Sequence, residues 1–184
     1  VSPSLPAGLA IDAATGEISG TPTAVTTAAT YTVTATNSGG SVSTTIDIEV
    51  NEAPPSDITY TPDSFTLTIG TAMTSSVTPT VNGDPVTSWS ITPSLPNGIS
   101  FGTNNGTIWG TPTIISSSTT YTVTAVNNGG SGTATITMQV NDIAPSSINY
   151  SPSSLSLAKD SQMGDLTPTA QGGAVVTWLS LIHI

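Results

Sequence analysis

Short motifs of this sequence return in the same order 90 residues later. Three motifs with their second copies are Leu5-Pro6-Ala7-Gly8 and Leu95-Pro96-Asn97-Gly98, Gly20-Thr21-Pro22-Thr23 and Gly110-Thr111-Pro112-Thr113, and Tyr31-Thr32-Val33-Thr34-Ala35 and Tyr121-Thr122-Val123-Thr124-Ala125. A solenoid layer has roughly 20–50 residues, so this period is too long for one. It is the size of a small domain with its own core. The chain is therefore predicted to be part of a tandem array, an organisation that builds length, reach or valency.

The repeat also predicts where the units begin and end. Residues 1–50 align with the second half of a unit, 51–53 form a linker, 54–141 form a complete unit, and 142–178 align with the first half of a third. The similarity stops after Trp178, which matches Trp89 when one residue is deleted between Tyr150 and Trp178. Residues 179–184 read Leu-Ser-Leu-Ile-His-Ile, one reading frame of a transposon-end sequencing adapter. We interpret them as an adapter artefact rather than a divergent apolar strand, which removes His183 from the candidate residues.

The complete unit alternates apolar and polar residues over short stretches, and no segment shows a helical period with caps. Asn-Gly pairs between the stretches favour the positive φ of tight turns. The pattern predicts an all-β fold of tandem Ig-like or cadherin-like β-sandwich modules, one complete and two partial. The predicted strands of the complete unit cover residues 58–60, 64–69, 76–78, 86–91, 98–101, 106–109, 119–126 and 133–140.

One face of these strands is predicted to form the hydrophobic core. In the last strand, apolar residues recur in both copies at the positions of Ile136, Met138 and Val140, whereas the intervening positions are polar. Trp89 and Trp178 recur as well, so both are predicted to be core residues. The predicted core comprises Phe65, Leu67, Trp89, Ile91, Phe101, Ile108, Tyr121, Val123, Ile136 and Met138.

Charge and cysteine usage exclude several classes of partner. The net charge is −10, from 11 acids against the single base Lys159. Nucleic acids and anionic lipid surfaces need lysine and arginine, so neither is an expected partner. No apolar run approaches the 20 or so residues of a membrane span, so no membrane insertion is expected within this segment. A cysteine-free, threonine-rich β protein suits an extracellular or cell-surface location.

Two paired motifs carry a resemblance to a known family. Residues 5–9 with 15–22, and residues 95–99 with 105–112, resemble the signature "LPxGL…tGxIsGTP" of the putative Ig (He-PIG) repeats of large bacterial surface and secreted proteins. Those repeats are similar to the cadherin-like, dystroglycan-type superfamily. The resemblance extends over residues 1–178. It implies an Ig/cadherin-like sandwich, extracellular display as a spacer or adhesive module, and no established enzymatic role.

The linkers are candidate calcium sites, because cadherin-like domains hold Ca²⁺ between modules with an acidic Asn-Asp linker. The Asn-acid pair persists at both junctions as Asn51-Glu52 and Asn141-Asp142. Calcium takes six to eight oxygen ligands. Each junction offers one acid and one asparagine, with few further acids nearby. A solvated linker stiffened by proline is therefore the other interpretation, and both stay open.

Trp109 is a candidate ligand residue. Its counterpart in the first copy is Ser19, so the fold does not require an aromatic side chain there. An exposed tryptophan could stack on a sugar or pack against a neighbouring module. Local packing beside the hairpin is the alternative.

Catalysis is not expected from this set of residues. Apart from His183 the chain has no histidine, cysteine or arginine, and the complete unit has no lysine. The acids of the complete unit and its border lie on separate strands or loops, with nothing to orient them. Without a base, none of the many hydroxyl groups is activated as a nucleophile. We predict a non-catalytic structural or spacer repeat of a large extracellular protein, such as a bacterial adhesin or stalk. The alternative is a calcium-dependent or carbohydrate-binding adhesion module. The expected partners are neighbouring Ig-like modules of the same chain and, in the alternative, surface glycans or proteins; no cofactor is certain, with Ca²⁺ the one candidate.

Overall fold

A computed structural model describes residues 1–179, and all regular secondary structure in this range is β-strand. Within the same range, no helix is long and apolar enough to cross a membrane. Residues 180–184, including His183, lie outside the described residues. The strands are β1 Leu9–Ile11, β2 Ile18–Gly20, β3 Thr26–Asn37, β4 Gly40–Val50, β5 Ser56–Thr59, β6 Ser64–Thr68, β7 Thr80–Asn82, β8 Ser88–Thr92, β9 Ile99–Phe101, β10 Ile108–Gly110, β11 Ser116–Asn127, β12 Gly130–Asn141, β13 Ser147–Asn149 and β14 Thr169–Gln171.

Strands β5 to β12 form two layers around one core; this part of the chain is called the middle repeat below. One layer is a four-stranded sheet in the order β6-β12-β11-β8. Within it β11 is antiparallel to both neighbours, whereas β6 runs parallel to β12. The pairs β5-β7 and β9-β10 make up the facing layer, and an isolated bridge joins Val77 to Ile108. This arrangement is an all-β sandwich.

Alternation along β11 and β12 explains why these two long strands form the centre of the sheet. Tyr121, Val123 and Ala125 are buried, whereas Thr122 and Thr124 between them are only half-buried. β-Branched residues suit such a pleated, half-buried surface. Apolar residues at every second position therefore give β11 one face toward the core and one threonine-covered face toward water.

The predicted core is confirmed. Three of its ten members, Leu67, Ile91 and Phe101, are partly buried and pack against the central cluster. The other seven are buried: Phe65, Trp89, Ile108, Tyr121, Val123, Ile136 and Met138. Complete burial of an aliphatic or aromatic side chain contributes about 1.5–3 kcal/mol, so this cluster accounts for much of the stability of the middle repeat.

One predicted strand is reduced to a single bridge. Residues 76–78 were expected to form a strand, but only Val77 pairs there, by exchanging hydrogen bonds with Ile108 (2.8 and 2.9 Å). Pro79 follows directly and has no N–H to donate, so the pairing cannot continue. The chain then pairs with β5 through β7, at residues 80–82, where the sequence analysis predicts no strand.

The flanking strands repeat parts of the middle repeat. β3 pairs with β4 in the register of β11 with β12, so that Tyr31 opposes Ile46 as Tyr121 opposes Ile136. The pairs β1-β2 and β13-β14 correspond to β9-β10 and β5-β7. We call residues 1–50 the first repeat and 142–178 the last repeat; these boundaries stay a prediction.

The burial of Trp178 differs from the prediction. This side chain is 54% exposed, whereas its counterpart Trp89 is 6% exposed, so its assignment to a core is wrong for the chain described here. Trp89 is covered by elements that follow it in the sequence, including its neighbour β11. Within residues 1–179, residues 174–178 form no strand, so Trp178 lacks the pairing that Trp89 makes with β11.

Candidate functional site at the repeat junctions

The first junction is held by hydrogen bonds to the backbone of Ala53. The Ala53 N–H donates to the Asp84 carboxylate (2.7 Å to Oδ2). The Ala53 carbonyl accepts from the Asn127 side chain (2.8 Å from Nδ2) and from the Asp84 N–H (3.2 Å). Both polar groups of this linker residue are thereby bound to the middle repeat.

Glu52 adds a second attachment beside the first. Its carboxylate accepts from the backbone N–H of Asn128 (3.0 Å to Oε2) and from the Asn128 side-chain amide (3.4 Å to Oε1). The turn approaches so closely that a Cβ on Gly129 would overlap the Glu52 carbonyl. The linker therefore lies directly on the turn between β11 and β12.

Asn127 is oriented by the turn that it begins. Its Oδ1 accepts from the N–H groups of Gly129 (2.9 Å) and Gly130 (3.1 Å). An asparagine side chain offers one acceptor oxygen and a donor NH₂. Since the turn takes the oxygen, the NH₂ is directed at the linker, and the side chain is buried with both ends satisfied.

The second junction keeps the backbone contact and lacks the side-chain contacts. The Gly173 N–H donates to the Ile143 carbonyl (2.9 Å), as the Asp84 N–H does to Ala53. Glycine at position 173 supplies no carboxylate, and the Asp142 carboxylate accepts from the N–H of Ile143 beside it (2.8 Å). Docking of the linker on the turn that follows it thus recurs at both junctions.

The four proposed metal ligands belong to two junctions that lie far apart. Glu52 lies on the β11-β12 turn, whereas Asn141 is the last residue of β12, at its far end, and Asp142 follows it. A strand of this length spans about 40 Å at 3.3 Å per residue. The two junctions would therefore have to be separate sites.

Neither junction fits the calcium ion well. Asn51 lines a cleft of about 300 Å³ whose other lining residues include one acid, Asp84. The Asn141 Oδ1 accepts from the Gln139 side chain (2.6 Å). Within residues 1–179, no group of three or more acidic, histidine or cysteine side chains could hold a metal ion. The carboxylates of Glu52, Asp84 and Asp142 already accept from N–H groups, and calcium needs six to eight oxygens.

Trp109 is half-exposed on β10. Its side chain is 43% exposed, and its backbone is paired with Ser100. The ring edge lies close to Gly102, where a Cβ would stand 3.4 Å from its Cζ3 atom. Part of the ring thus packs on the neighbouring turn and part is open to solvent.

A buried tyrosine that follows β5 is hydrogen-bonded to the turn that precedes β10. The Tyr60 hydroxyl donates to the Gly106 carbonyl (2.6 Å), and burial raises the pKa of Tyr60 above its usual value of 10.0. The hydroxyl is bound within the core and remains protonated at neutral pH. It therefore acts as a structural hydrogen-bond donor.

Sequence reasoning did not find Asp84, Asn127 or Asn128 as functional residues. The sequence analysis assigns no role to any of the three. The signal for Asn127 was present, because Asn37 occupies the same position and likewise accepts from a turn N–H, that of Gly39 (2.8 Å). Nothing in one sequence shows that the other end of this amide faces a linker.

The parts of this chain that match a known family follow the same pattern of repeats. The family described as "Putative Ig domain" (He_PIG) matches residues 1–51 and 55–141. A "Serine-rich adhesin for platelets" of Staphylococcus aureus strain MSSA476 is 35% identical over 170 residues, which are 86% of this chain and 7% of that protein. The same adhesin of strain MRSA252 is 35% identical over 161 residues, 81% of this chain and 11% of that protein. The chain thus spans about a tenth or less of the length of these relatives.

Solved structures give a weaker likeness. The titin domains z1z2 in complex with telethonin share 22% identity and cover 73% of each chain, at a TM-score of 0.37. Scores at this level add nothing to the strand pairing described above. The family match, by contrast, covers most of the sequence and includes both copies of the quoted motifs. This chain belongs to the "Putative Ig domain" (He_PIG) family.

Proposed function

We propose that this chain is a non-catalytic spacer of a large extracellular or cell-surface protein, in which docked linkers hold consecutive repeats at a defined spacing. The observation that carries the proposal is the contact of each linker carbonyl with the turn that follows. It is made by Asp84 to Ala53 at the first junction and by Gly173 to Ile143 at the second. A spacer needs a defined path of the chain between domains more than it needs a pocket.

The hydrogen bonds at the first junction are sufficient to restrict the linker. Ala53 and Glu52 together make five of them, three through Ala53 and two through Glu52. Each hydrogen bond contributes about 0.5–1.5 kcal/mol net, so the docked linker is favoured by a few kcal/mol over a loose one. The docked arrangement should then be the main population in solution.

Composition and relatives support the location. The chain has no cysteine and a net charge of −10, and its staphylococcal relatives are adhesins by name. Because the chain spans so little of those proteins, adhesion itself is not assigned to these residues. The partners that the proposal requires are the neighbouring Ig-like modules of the same chain.

Small-angle X-ray scattering of the whole chain at low concentration tests the spacer. We expect an extended particle whose maximum dimension stays constant between low and high salt. Asn127→Asp, which replaces the amide donor to Ala53, should broaden the distribution of dimensions. A particle equally variable with and without this substitution would contradict a docked linker.

An adhesion module is the second candidate function. The exposure of Trp109 is the observation that favours a carbohydrate-binding form of this module. Sugar faces stack on exposed tryptophan rings. The repeat supplies the matched variant Trp109→Ser, since Ser19 occupies that position in the first copy. Glycan binding that Trp109→Ser removes would favour the adhesion module over the spacer.

The calcium form of this candidate rests on Asn51-Glu52 and Asn141-Asp142 alone. Isothermal titration calorimetry of the chain with Ca²⁺ decides it. Tight, stoichiometric uptake of one ion per junction would establish it, whereas heats of weak, nonspecific binding would leave the spacer as the function.

A further inference from the structure

The first and last strands of the middle repeat's four-stranded sheet, in chain order, lie side by side. β6 pairs with β12, from Ser64 opposite Thr137 to Thr68 opposite Asn141, and the two strands are parallel. The chain continues on both sides of the middle repeat, so tension along the array enters through the linker before β5 and leaves at the end of β12. The entry and the exit are thus connected directly through the β6-β12 ladder.

The parallel direction decides how this ladder is loaded. The entry lies near the start of β12, because a Cβ on Gly132 would overlap the Pro55 carbonyl, and the exit lies at the end of β12. Tension therefore pulls β6 and β12 in opposite directions along their own axes. All the hydrogen bonds of the ladder carry this load together. In an antiparallel pair the entry and the exit would lie at the same end, and the bonds would open one at a time.

The β6-β12 ladder is the main attachment between the entry and β12. β5 is held to β7 by only two residue pairs with an irregularity between them, whereas β6 makes five pairs with β12. Hydrogen bonds extend the ladder at both ends, from the Thr137 N–H to the Asp63 carbonyl (2.9 Å) and from the Ile69 N–H to the Asn141 carbonyl (2.9 Å). Because β11 holds β12 through ten pairs, the β6-β12 ladder yields before it and sets the force at which the repeat opens.

Side chains on both faces of the ladder oppose sliding. On the inner face Phe65 and Met138 lie opposite each other, and both are buried in the core. A slip of one residue would turn Phe65 out of the core. On the outer face the Thr137 hydroxyl donates to the Ser64 hydroxyl (3.0 Å). The two strands can therefore move past each other only by breaking core contacts and hydrogen bonds at once.

We propose that the middle repeat is a load-bearing module, in which the β6-β12 ladder is a clamp against tension along the array. The proposal rests on the spacer function, since a spacer is held at both ends and transmits the pull between them. The docked linker responds differently from the clamp. Its hydrogen bonds at Glu52 and Ala53 lie at the entry and are pulled away from one end, so the linker detaches at a lower force while the repeat stays folded.

Single-molecule pulling of the whole chain in two directions tests the clamp. The chain has no cysteine, so handles can be attached at introduced cysteines. Asn51→Cys with Asp142→Cys applies tension along the array, whereas Asp63→Cys with Thr135→Cys pulls β6 and β12 apart from one end; all four positions are exposed. We expect the unfolding force along the array to be several-fold higher than the force across the ladder. Chemical denaturation should give both chains the same stability, which leaves the direction of load as the difference.

The length gained on unfolding identifies the event. Along the array the middle repeat should release about 250 Å, which is its extended length less its folded length. Forced unfolding reports the barrier to unfolding rather than the equilibrium stability. The force at this step therefore measures the clamp.

Ile69→Pro tests the ladder itself, because it removes the N–H that donates to Asn141. Ile69→Ala loses the same side chain but keeps this N–H, so it is the matched control. Along the array Ile69→Pro should unfold at a lower force than Ile69→Ala, since all bonds of the ladder share the load. Across the ladder the two variants should unfold at the same force, since this bond lies at the far end and breaks last.

Equal unfolding forces in the two directions would overturn the clamp. Equal forces for the two Ile69 variants along the array would overturn it as well. Either result is distinguishable from failure of the spacer, because small-angle scattering reports a loose linker without any load.

Discussion

Truncation of Ile136 is predicted to destabilise the middle repeat far more than the same truncation at its counterpart Ile46 destabilises the first repeat. The two residues have the same type, the same position in the repeat and the same cross-strand neighbour, a tyrosine. They differ in burial, at 1% and 42% exposed. Ile→Ala at a buried site costs about 2–5 kcal/mol, from lost burial and the cavity left behind. At Ile46 less apolar area is lost from contact, so the cost should be well under half of that.

Thermal unfolding provides the measurement. A change of 1 kcal/mol shifts the melting temperature of a domain of this size by about 4–8 °C, so Ile136→Ala should lower the middle transition by at least about 8 °C. Trp89 reports on unfolding of the middle repeat, because it is buried there while the other two tryptophans are exposed. The first repeat has no tryptophan, so its unfolding is followed by circular dichroism. Equal shifts for the two substitutions would refute the facing of β12 and the burial argument with it.

Four further predictions concern the junctions and Tyr60. Asn127→Asp keeps the turn acceptor but sets an oxygen against the Ala53 carbonyl, so it should cost the middle repeat about 1–3 kcal/mol in chemical denaturation, whereas Asn37→Asp should cost little. Tyr60→Phe should cost about 1–3 kcal/mol in the same assay, because the Gly106 carbonyl loses its buried donor. Burial raises the pKa of Tyr60, so the stabilisation by the protonated hydroxyl is complete below about pH 10. As the pH rises further this stabilisation is lost, because the unfolded chain releases the proton before the folded chain does. Tyr60→Phe should flatten this alkaline loss when stability is measured against pH. Calorimetry with Ca²⁺ is expected to show no tight, stoichiometric uptake, and a saturable isotherm would contradict this.

The fold could be predicted from the sequence because its signals are local and duplicated. Alternation of residues such as Val123 and Thr122 fixes which face of a strand is inward, and the second copy checks it. The exception at 76–78 has a local cause as well, since Pro79 ends the pairing. Trp178 could not be placed by alternation, because its exposure depends on which strands are present to cover it.

The junction contacts could not be predicted, because they join residues far apart in the sequence. Asp84 and Asn127 meet at Ala53 from two different turns. Their hydrogen bonds depend on the spatial path of the linker, which leaves no period or spacing in the sequence. The Asn-acid pairs were visible in the sequence, but the N–H groups that their carboxylates accept from were not.

The most direct test of the docked linker is the distance distribution across the first junction. The chain has no cysteine, so spin labels can be attached at Thr45→Cys and Asn104→Cys, both exposed in the described structure. Pulsed electron resonance at low concentration should give one narrow peak, which Asn127→Asp broadens. A loose linker of three residues would spread the distance by an amount on the order of 10 Å. A distribution that broad in the unmodified junction would contradict the claim that the linker holds consecutive repeats at a defined spacing.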